Sequence, residues 1–139
     1  VEVKTPADLA TRIEVVRRRD AYERDADAFG AQWRKEDLKL RKGIAAARER
    51  LAGVRVPDAM LEKSARLCMA LGTDGLRGEL TLMRAARALA AYQGHAEAGD
   101  AQLRRVAGPA LRHRLRRNPL DDAGSSVRVE RAVQELFGA

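Results

Sequence analysis

The sequence predicts an all-α fold. Three observations carry that reading: a composition rich in Ala, Leu, Arg and Glu, apolar residues that recur at helical spacing, and only four prolines in 139 residues. Ala, Leu, Arg and Glu lose least on entering a helix, because their side chains keep most of their rotamer freedom there. Aromatic bulk is limited to Trp33, two Tyr and two Phe, so a core must be built from Leu, Val, Ile and Ala. A chain of this length buries such a core without disulfides or metal, and one domain is the default.

Thr5-Pro6-Ala7-Asp8 offers an N-cap hydroxyl, a proline at the first helical position and an acid in the first turn. Together they predict a first helix over 6–20. Leu9, Ile13 and Val16 mark its apolar face, and Arg17-Arg18-Arg19 load its last turn with the charge a helix C-terminus favours. After Asp25-Ala26-Asp27, the stripe Phe29, Trp33, Leu40, Ile44, Ala47 and Leu51 predicts one long amphipathic helix over 27–51. At 1.5 Å per residue it would be roughly 37 Å long. A compact bundle of this size needs less, so part of it is expected to pack on something outside the chain.

Gly53 closes that helix and Pro57-Asp58 opens a third, with Met60, Ser64, Leu67, Cys68 and Leu71 as its buried face. Gly72-Thr73-Asp74-Gly75 reads as a turn. A fourth helix over 76–94 is expected to bury Leu76, Leu80, Met83, Ala86 and Ala90, and Gly94 to Gly99 ends it. Asp100 is the expected cap of a fifth helix with Leu103, Val106, Ala107, Ala110 and Leu111 inside. Arg104, Arg105, Arg112, Arg114, Arg116 and Arg117 lie on its outer side, and Pro109 kinks it. The loop from Asn118 to Gly124 leads to a last helix capped by Ser125 or Ser126, carrying Val129, Val133 and Leu136. Taken as one helical domain, 1–139 divides into N-terminal helices with the long connector (1–54) and a helical bundle (55–139).

The chain starts with Val1, and Val1-Glu2-Val3 alternates like a strand with no partner in a helical protein, so a fragment of something larger is expected. Its net charge of +7 calls for an anionic partner: nucleic acid, nucleotide phosphate, anionic lipid or an acidic protein. Cys68 is the only cysteine and lies in an apolar stretch, which excludes an intrachain disulfide and predicts a buried small hydrophobe. No apolar run approaches the roughly 20 residues needed to span a bilayer, and no signal peptide opens the chain. A soluble protein of the reducing cytoplasm is the expectation.

Catalytic signatures are missing: no phosphate-binding Gly-x-x-x-x-Gly-Lys-Ser/Thr loop, no His-Glu-x-x-His, no cysteine pair and no nucleophile elbow. The chain alone is therefore not expected to hydrolyse ATP. His95 and His113 stand without carboxylate or cysteine companions at metal-ligand spacing and read as surface or capping residues.

The informative segment is Asp74-Gly75-Leu76-Arg77-Gly78-Glu79-Leu80. Arg77 falls in the first turn of a helix, where the dipole disfavours a cation by about 0.3 to 1 kcal/mol. Either Glu79 or Asp74 compensates as a local ion pair, or a phosphate is held by the guanidinium and the free N–H groups of the helix. Arg84 and Arg87 lie on a similar side, as a solvated face or as further ligand contacts. The cluster from Arg112 to Arg117 could grip nucleic-acid phosphates, but lacks interleaved aromatic residues for stacking and a recognition helix, which disfavours that partner.

The run from Gly75 to Ala90, Gly-Leu-Arg-Gly-Glu-Leu-Thr-Leu-Met-Arg-Ala-Ala-Arg-Ala-Leu-Ala, resembles the sensor-2 helix of AAA+ ATPases of the magnesium chelatase and MoxR-type branch. Leu111 to Ser125, with Asn118-Pro119-Leu120-Asp121-Asp122-Ala123-Gly124, and Val1 to Asp20 are similar to parts of the chelatase ATPase subunits called I. The resemblance implies a helical lid whose Arg77 touches nucleotide phosphate, with Arg84 and Arg87 as secondary contacts at the nucleotide or subunit interface. It implies ATP and Mg²⁺ as cofactors of the parent subunit, with none bound tightly to this fragment. The implied partners are the subunit's own N-terminal ATPase core, neighbouring I subunits in a hexameric ring, the chelatase's D-type AAA+ component and, indirectly, its porphyrin-binding H-type component. The implied reaction is ATP-driven insertion of Mg²⁺ into protoporphyrin IX for chlorophyll or bacteriochlorophyll. Two alternatives stay open: a MoxR-type lid for metal-cofactor insertion or complex assembly, and a basic helical nucleic-acid-binding module. Whether Arg77 acts on its own subunit's nucleotide or a neighbour's is left open by the residues.

Overall fold

The computed structural model describes residues 5–73, 75–115 and 124–138. Among them run six helices: α1 (Leu9–Arg24), α2 (Ala26–Leu51), α3 (Asp58–Leu71), α4 (Arg77–Gln93), α5 (Asp100–Leu111) and α6 (Ser125–Phe137). Extended pairing among the described residues is limited to isolated bridges, Arg55 with Glu97 and Thr73 with Leu115. The all-α expectation holds. Val1-Glu2-Val3, Asp74, Arg116, Arg117 and the loop over 118–123 lie outside the described residues. Two compact units part between Ile44 and Ala45.

In the first unit, α1 begins at Leu9 and not at Pro6. The cap is Asp8, whose Oδ2 accepts hydrogen bonds from the Thr11 backbone N–H (2.7 Å) and hydroxyl (2.6 Å). Those bonds hold the Asp8 carboxyl below its ordinary range, because they favour the charged form. The helix runs past Asp20 to Arg24, so Arg17, Arg18 and Arg19 are not its last turn. Their charge is met by carboxylates instead: Arg17 and Arg18 pair with Glu14, and Arg19 with Glu23. Asp25 interrupts the helices with extended backbone (φ −155°, ψ 94°), and its Oδ1 accepts from Ala28 N at 2.9 Å.

Beyond that break the Arg18 guanidinium lies 4.8 Å from the Trp33 ring centre. Along a straight helix those residues would stand roughly 22 Å apart. The chain therefore doubles back at Asp25, and Tyr22, Phe29 and Trp33 form a row of ring contacts at 5.9 and 6.1 Å. Helix α1 buries no residue, and its expected apolar face of Leu9, Ile13 and Val16 is exposed.

In the second unit, α3 to α6 enclose the core. Leu67, Leu82, Leu103, Leu111 and Val129 are fully buried, joined by Cys68, Leu71, Ala86, Ala90, Ala91, Ala107 and Ala110. Each buried Leu contributes about 1.5 to 3 kcal/mol relative to an exposed one. Alanines on α4 and α5 let these two helices approach closely, and this is the most extensive helix contact of the unit. Arg50, in the last turn of α2, donates from Nε to the Ala91 carbonyl at 3.0 Å, and Ala47 packs on the core. Lys63 on α3 pairs with Asp100 on α5 at 2.7 Å and sits 5.5 Å from the Phe137 ring of α6.

The face expected of α3 is the face it buries. That of α4 is turned: Leu76 and Leu80 are exposed, whereas Gly78 and Leu82 are buried beside Ala86, Ala90 and Ala91. Asp100 is the first residue of α5 and Gly99 its cap, with Gly99 N donating to the Gln102 side chain at 2.9 Å. Helix α5 passes through Pro109 and ends at Leu111, so Arg112 and Arg114 belong to the turn that follows.

Gly78 explains how α4 is turned. A Cβ there would stand 3.0 Å from Thr73 Oγ1 and 3.1 Å from Cys68 Sγ, inside ordinary contact. Both neighbours are held, since Cys68 is buried and the Thr73 hydroxyl donates to the Cys68 carbonyl at 3.3 Å. Gly78→Ala is expected to lower stability by about 1 to 2 kcal/mol, because overpacking outweighs the better helix propensity of Ala. Denaturant unfolding checks this, and a stabilised variant would contradict the close contact.

Candidate functional site

The short connection between α3 and α4 sets up the site. Helix α3 stops at Leu71 because Gly72 adopts the left-handed conformation (φ 64°), and Thr73 N then donates to the Cys68 carbonyl at 3.1 Å. Thr73 pairs across an antiparallel bridge with Leu115, which ties this turn to the segment after α5. Gly75 is again left-handed (φ 59°), and α4 begins at Arg77. Leu76 occupies the cap position and has no side chain able to accept. The first helical bond is Leu80 N to the Leu76 carbonyl, so the N–H groups of Arg77, Gly78 and Glu79 have no partner within the helix.

A cleft of about 570 Å³ opens at this helix start, lined by Thr73, Gly75, Leu76, Arg77, Gly78, His113 and Arg114. Two guanidinium groups, an imidazole and the positive end of a helix dipole meet there, and no carboxylate is among these residues. Arg77 is exposed and forms no ion pair with Glu79. The Glu79 charge instead helps to raise the nearby Cys68 thiol, and its Oε2 is buried without a hydrogen-bond partner. Asp74, the other local acid, lies outside the described residues.

The other sequence candidates are placed differently. Arg84 and Arg87 stand roughly 10 and 15 Å further along α4 by helix rise, and neither lines the cleft. Arg84 is exposed, whereas Arg87 is half-buried with its Nε lacking a hydrogen-bond partner. His113 and Arg114 do line the cleft, yet in the sequence they were only members of a basic run. Their signal is non-local, since the bridge between Thr73 and Leu115 brings them to α4. Among the described residues no three His, Cys, Asp or Glu side chains gather as a metal site. The arrangement suits an oxyanion of high charge, such as a phosphate, held by guanidinium forks and backbone N–H groups.

The AAA lid domain family matches residues 61–136, from the first turn of α3 to the last of α6. The chain belongs to the AAA lid domain family. Its cleft lies wholly within the matched span. This lid is 56% identical over 137 residues to the magnesium-chelatase 38 kDa subunit of Cereibacter sphaeroides, covering 99% of the lid chain and 41% of that protein. The Rhodobacter capsulatus protein of the same name is also 56% identical over 137 residues, covering 99% and 39%. That of Acidiphilium rubrum is 55% identical over 137 residues, covering 99% and 40%. The lid chain thus spans about two fifths of the length of these relatives.

Beneath the cleft of the lid, Cys68 is packed against Gly78 and Thr73. Burial pushes its thiol up to about 11, the Thr73 hydrogen bond acts the other way, and the nearby Glu79 charge adds to the rise. The neutral thiol is therefore the folded form. Below pH 9 this contributes constant stability, and between about 9 and 11 the unfolded chain loses its thiol proton first, so stability falls. Denaturant unfolding across that range should show an extra loss in the wild type that Cys68→Ala lacks. At pH 8, thiol-specific labelling should proceed only as fast as the lid opens.

Proposed function

We propose that this lid belongs to the ATPase subunit of a magnesium chelatase and that Arg77 contacts the phosphates of bound ATP as a sensor-2 arginine. The observation that carries the reading is Arg77 at the start of α4, where the first N–H groups have no partner within the helix, in a cleft with no described carboxylate. The cation sits where the helix dipole disfavours it by about 0.3 to 1 kcal/mol, a placement that a bound phosphate turns into an advantage. Guanidinium is the group of choice here, because it stays charged and offers two parallel donors to one phosphate. The chelatase assignment is supported by the names of the relatives and the identity shared along nearly the whole chain.

The work of the full subunit follows from that reading. ATP with its Mg²⁺ would bind between an ATPase core and this lid. Hydrolysis would change the anion that Arg77 feels and so shift the lid. That movement would be coupled to insertion of Mg²⁺, here the substrate metal, into protoporphyrin IX in a cytoplasmic assembly. The ring of like subunits and the D-type and porphyrin-binding H-type components of the chelatase are the proposed partners. Arg84 and Arg87, further along α4, would serve the face toward a neighbouring subunit. The first part of α2, which buries no residue of its own, would act as the connector to the ATPase core.

Arg77→Ala in the full-length protein should leave the circular dichroism spectrum and melting temperature unchanged, because Arg77 is exposed. Losing a charge-assisted contact to phosphate should lower ATP hydrolysis about tenfold to a hundredfold. An ATPase rate equal to wild type would return Arg77 to the role of an ordinary surface residue.

A further inference from the structure

The sequence supplies one obvious cation for the cleft, and the fold supplies a second from another segment. Arg114 comes from the turn after α5, where its backbone N–H donates to the Leu111 carbonyl at 2.8 Å. The neighbouring Leu115 is bridged to Thr73, so this turn is fastened to the very connection that launches α4. The side chain of Arg114 lines the same cleft as Arg77. Its Nε is buried and has no hydrogen-bond partner. Two guanidinium groups lining one cleft repel each other unless an anion lies between them. Among the described residues lining the cleft there is no carboxylate to relieve it.

We infer that Arg114 is a second phosphate-binding residue, which clamps the nucleotide's phosphates in the cleft together with Arg77. The inference rests on the phosphate-contact reading of Arg77 and adds a residue to it. Two forks from separate segments do what one cannot: they make the bound anion a brace between α4 and the turn after α5. Phosphate binding would then tighten the bundle itself, in addition to holding the nucleotide. His113, exposed and lining the same cleft, adds a further donor but is not needed for the clamp.

The test uses the full-length protein with inorganic tripolyphosphate and ATP as titrants in calorimetry, and a thermal melt of each variant. Arg114→Gln should weaken tripolyphosphate binding about tenfold or more, as expected for one charge-assisted contact, while the melting temperature without ligand stays as in wild type. Wild-type affinity in Arg114→Gln overturns the inference. Arg77→Ala, measured alongside, separates the two readings. If Arg77→Ala weakens binding and Arg114→Gln does not, only the second clamp residue is lost. If neither changes affinity, the phosphate-contact reading of Arg77 falls with it. Should Arg114→Gln melt lower, Arg114→Lys decides, because it keeps the stem and the charge but not the fork: reduced affinity at an unchanged melting temperature supports the clamp, and undiminished affinity overturns it.

Discussion

The close approach of α4 to the end of α3 at Gly78 is the constraint on which the rest of the second unit depends. With no Cβ at that position, Thr73 Oγ1 and Cys68 Sγ fill the space directly against the helix. This turns Leu82, Ala86 and Ala90 into the core and leaves Leu76 and Arg77 outside. It also fixes where the turn of Thr73 runs, and so where Leu115 can pair with it. The cleft is a consequence of that geometry: its lining comes from the connection into α4, the first turn of α4 and the segment that follows α5. A buried thiol and a missing methyl group thus help to place two arginines at one cleft.

The two units manage their apolar residues differently. The second has a continuous core of aliphatic side chains and alanines, with Lys63 joining three helices at its surface. That ion pair is partly exposed and adds little stability beyond about 1 kcal/mol. Among its described residues the first unit has no such core, and its ring contacts join Tyr22, Phe29 and Trp33 with Arg18 over the indole. Exposed Leu9, Val15 and Val16 on α1, and Leu38 and Leu40 on α2, remain uncovered. Uncovered apolar side chains of this kind mark a surface suited to packing against further protein.

The all-α class and the face of α3 were legible because polar and apolar residues contrast sharply there: Ser64, Leu67, Cys68 and Leu71 admit one phase of a 3.6-residue period. Helix α4 was harder. Alanines at 85, 86, 88, 90 and 91 blur the contrast, so Leu76 and Leu80 looked like inner residues when Leu82 is the one that is buried. The deciding residue, Gly78, acts through two side chains on another helix, which no period along α4 records. The start of α1 was misplaced because Asp8 competes with Thr5 as a cap, and the end of α5 because a run of arginines continues the pattern after the helix stops. The lid family was legible from the segment after Gly75, as was the place of Arg77 in the first turn of α4. Arg114 was not, since a single long-range bridge brings it to the cleft.

The most direct test of the central claim is amide hydrogen exchange at the first turn of α4 in the full-length protein, followed by NMR with and without nucleotide. The N–H groups of Arg77, Gly78 and Glu79 have no partner within the helix, so they should exchange rapidly without ligand. If phosphate docks in this cleft, ATP should slow their exchange markedly while amides in the exposed middle of α1 are unaffected. Equal exchange at these three amides with and without ATP would contradict the assignment of this cleft to nucleotide phosphate.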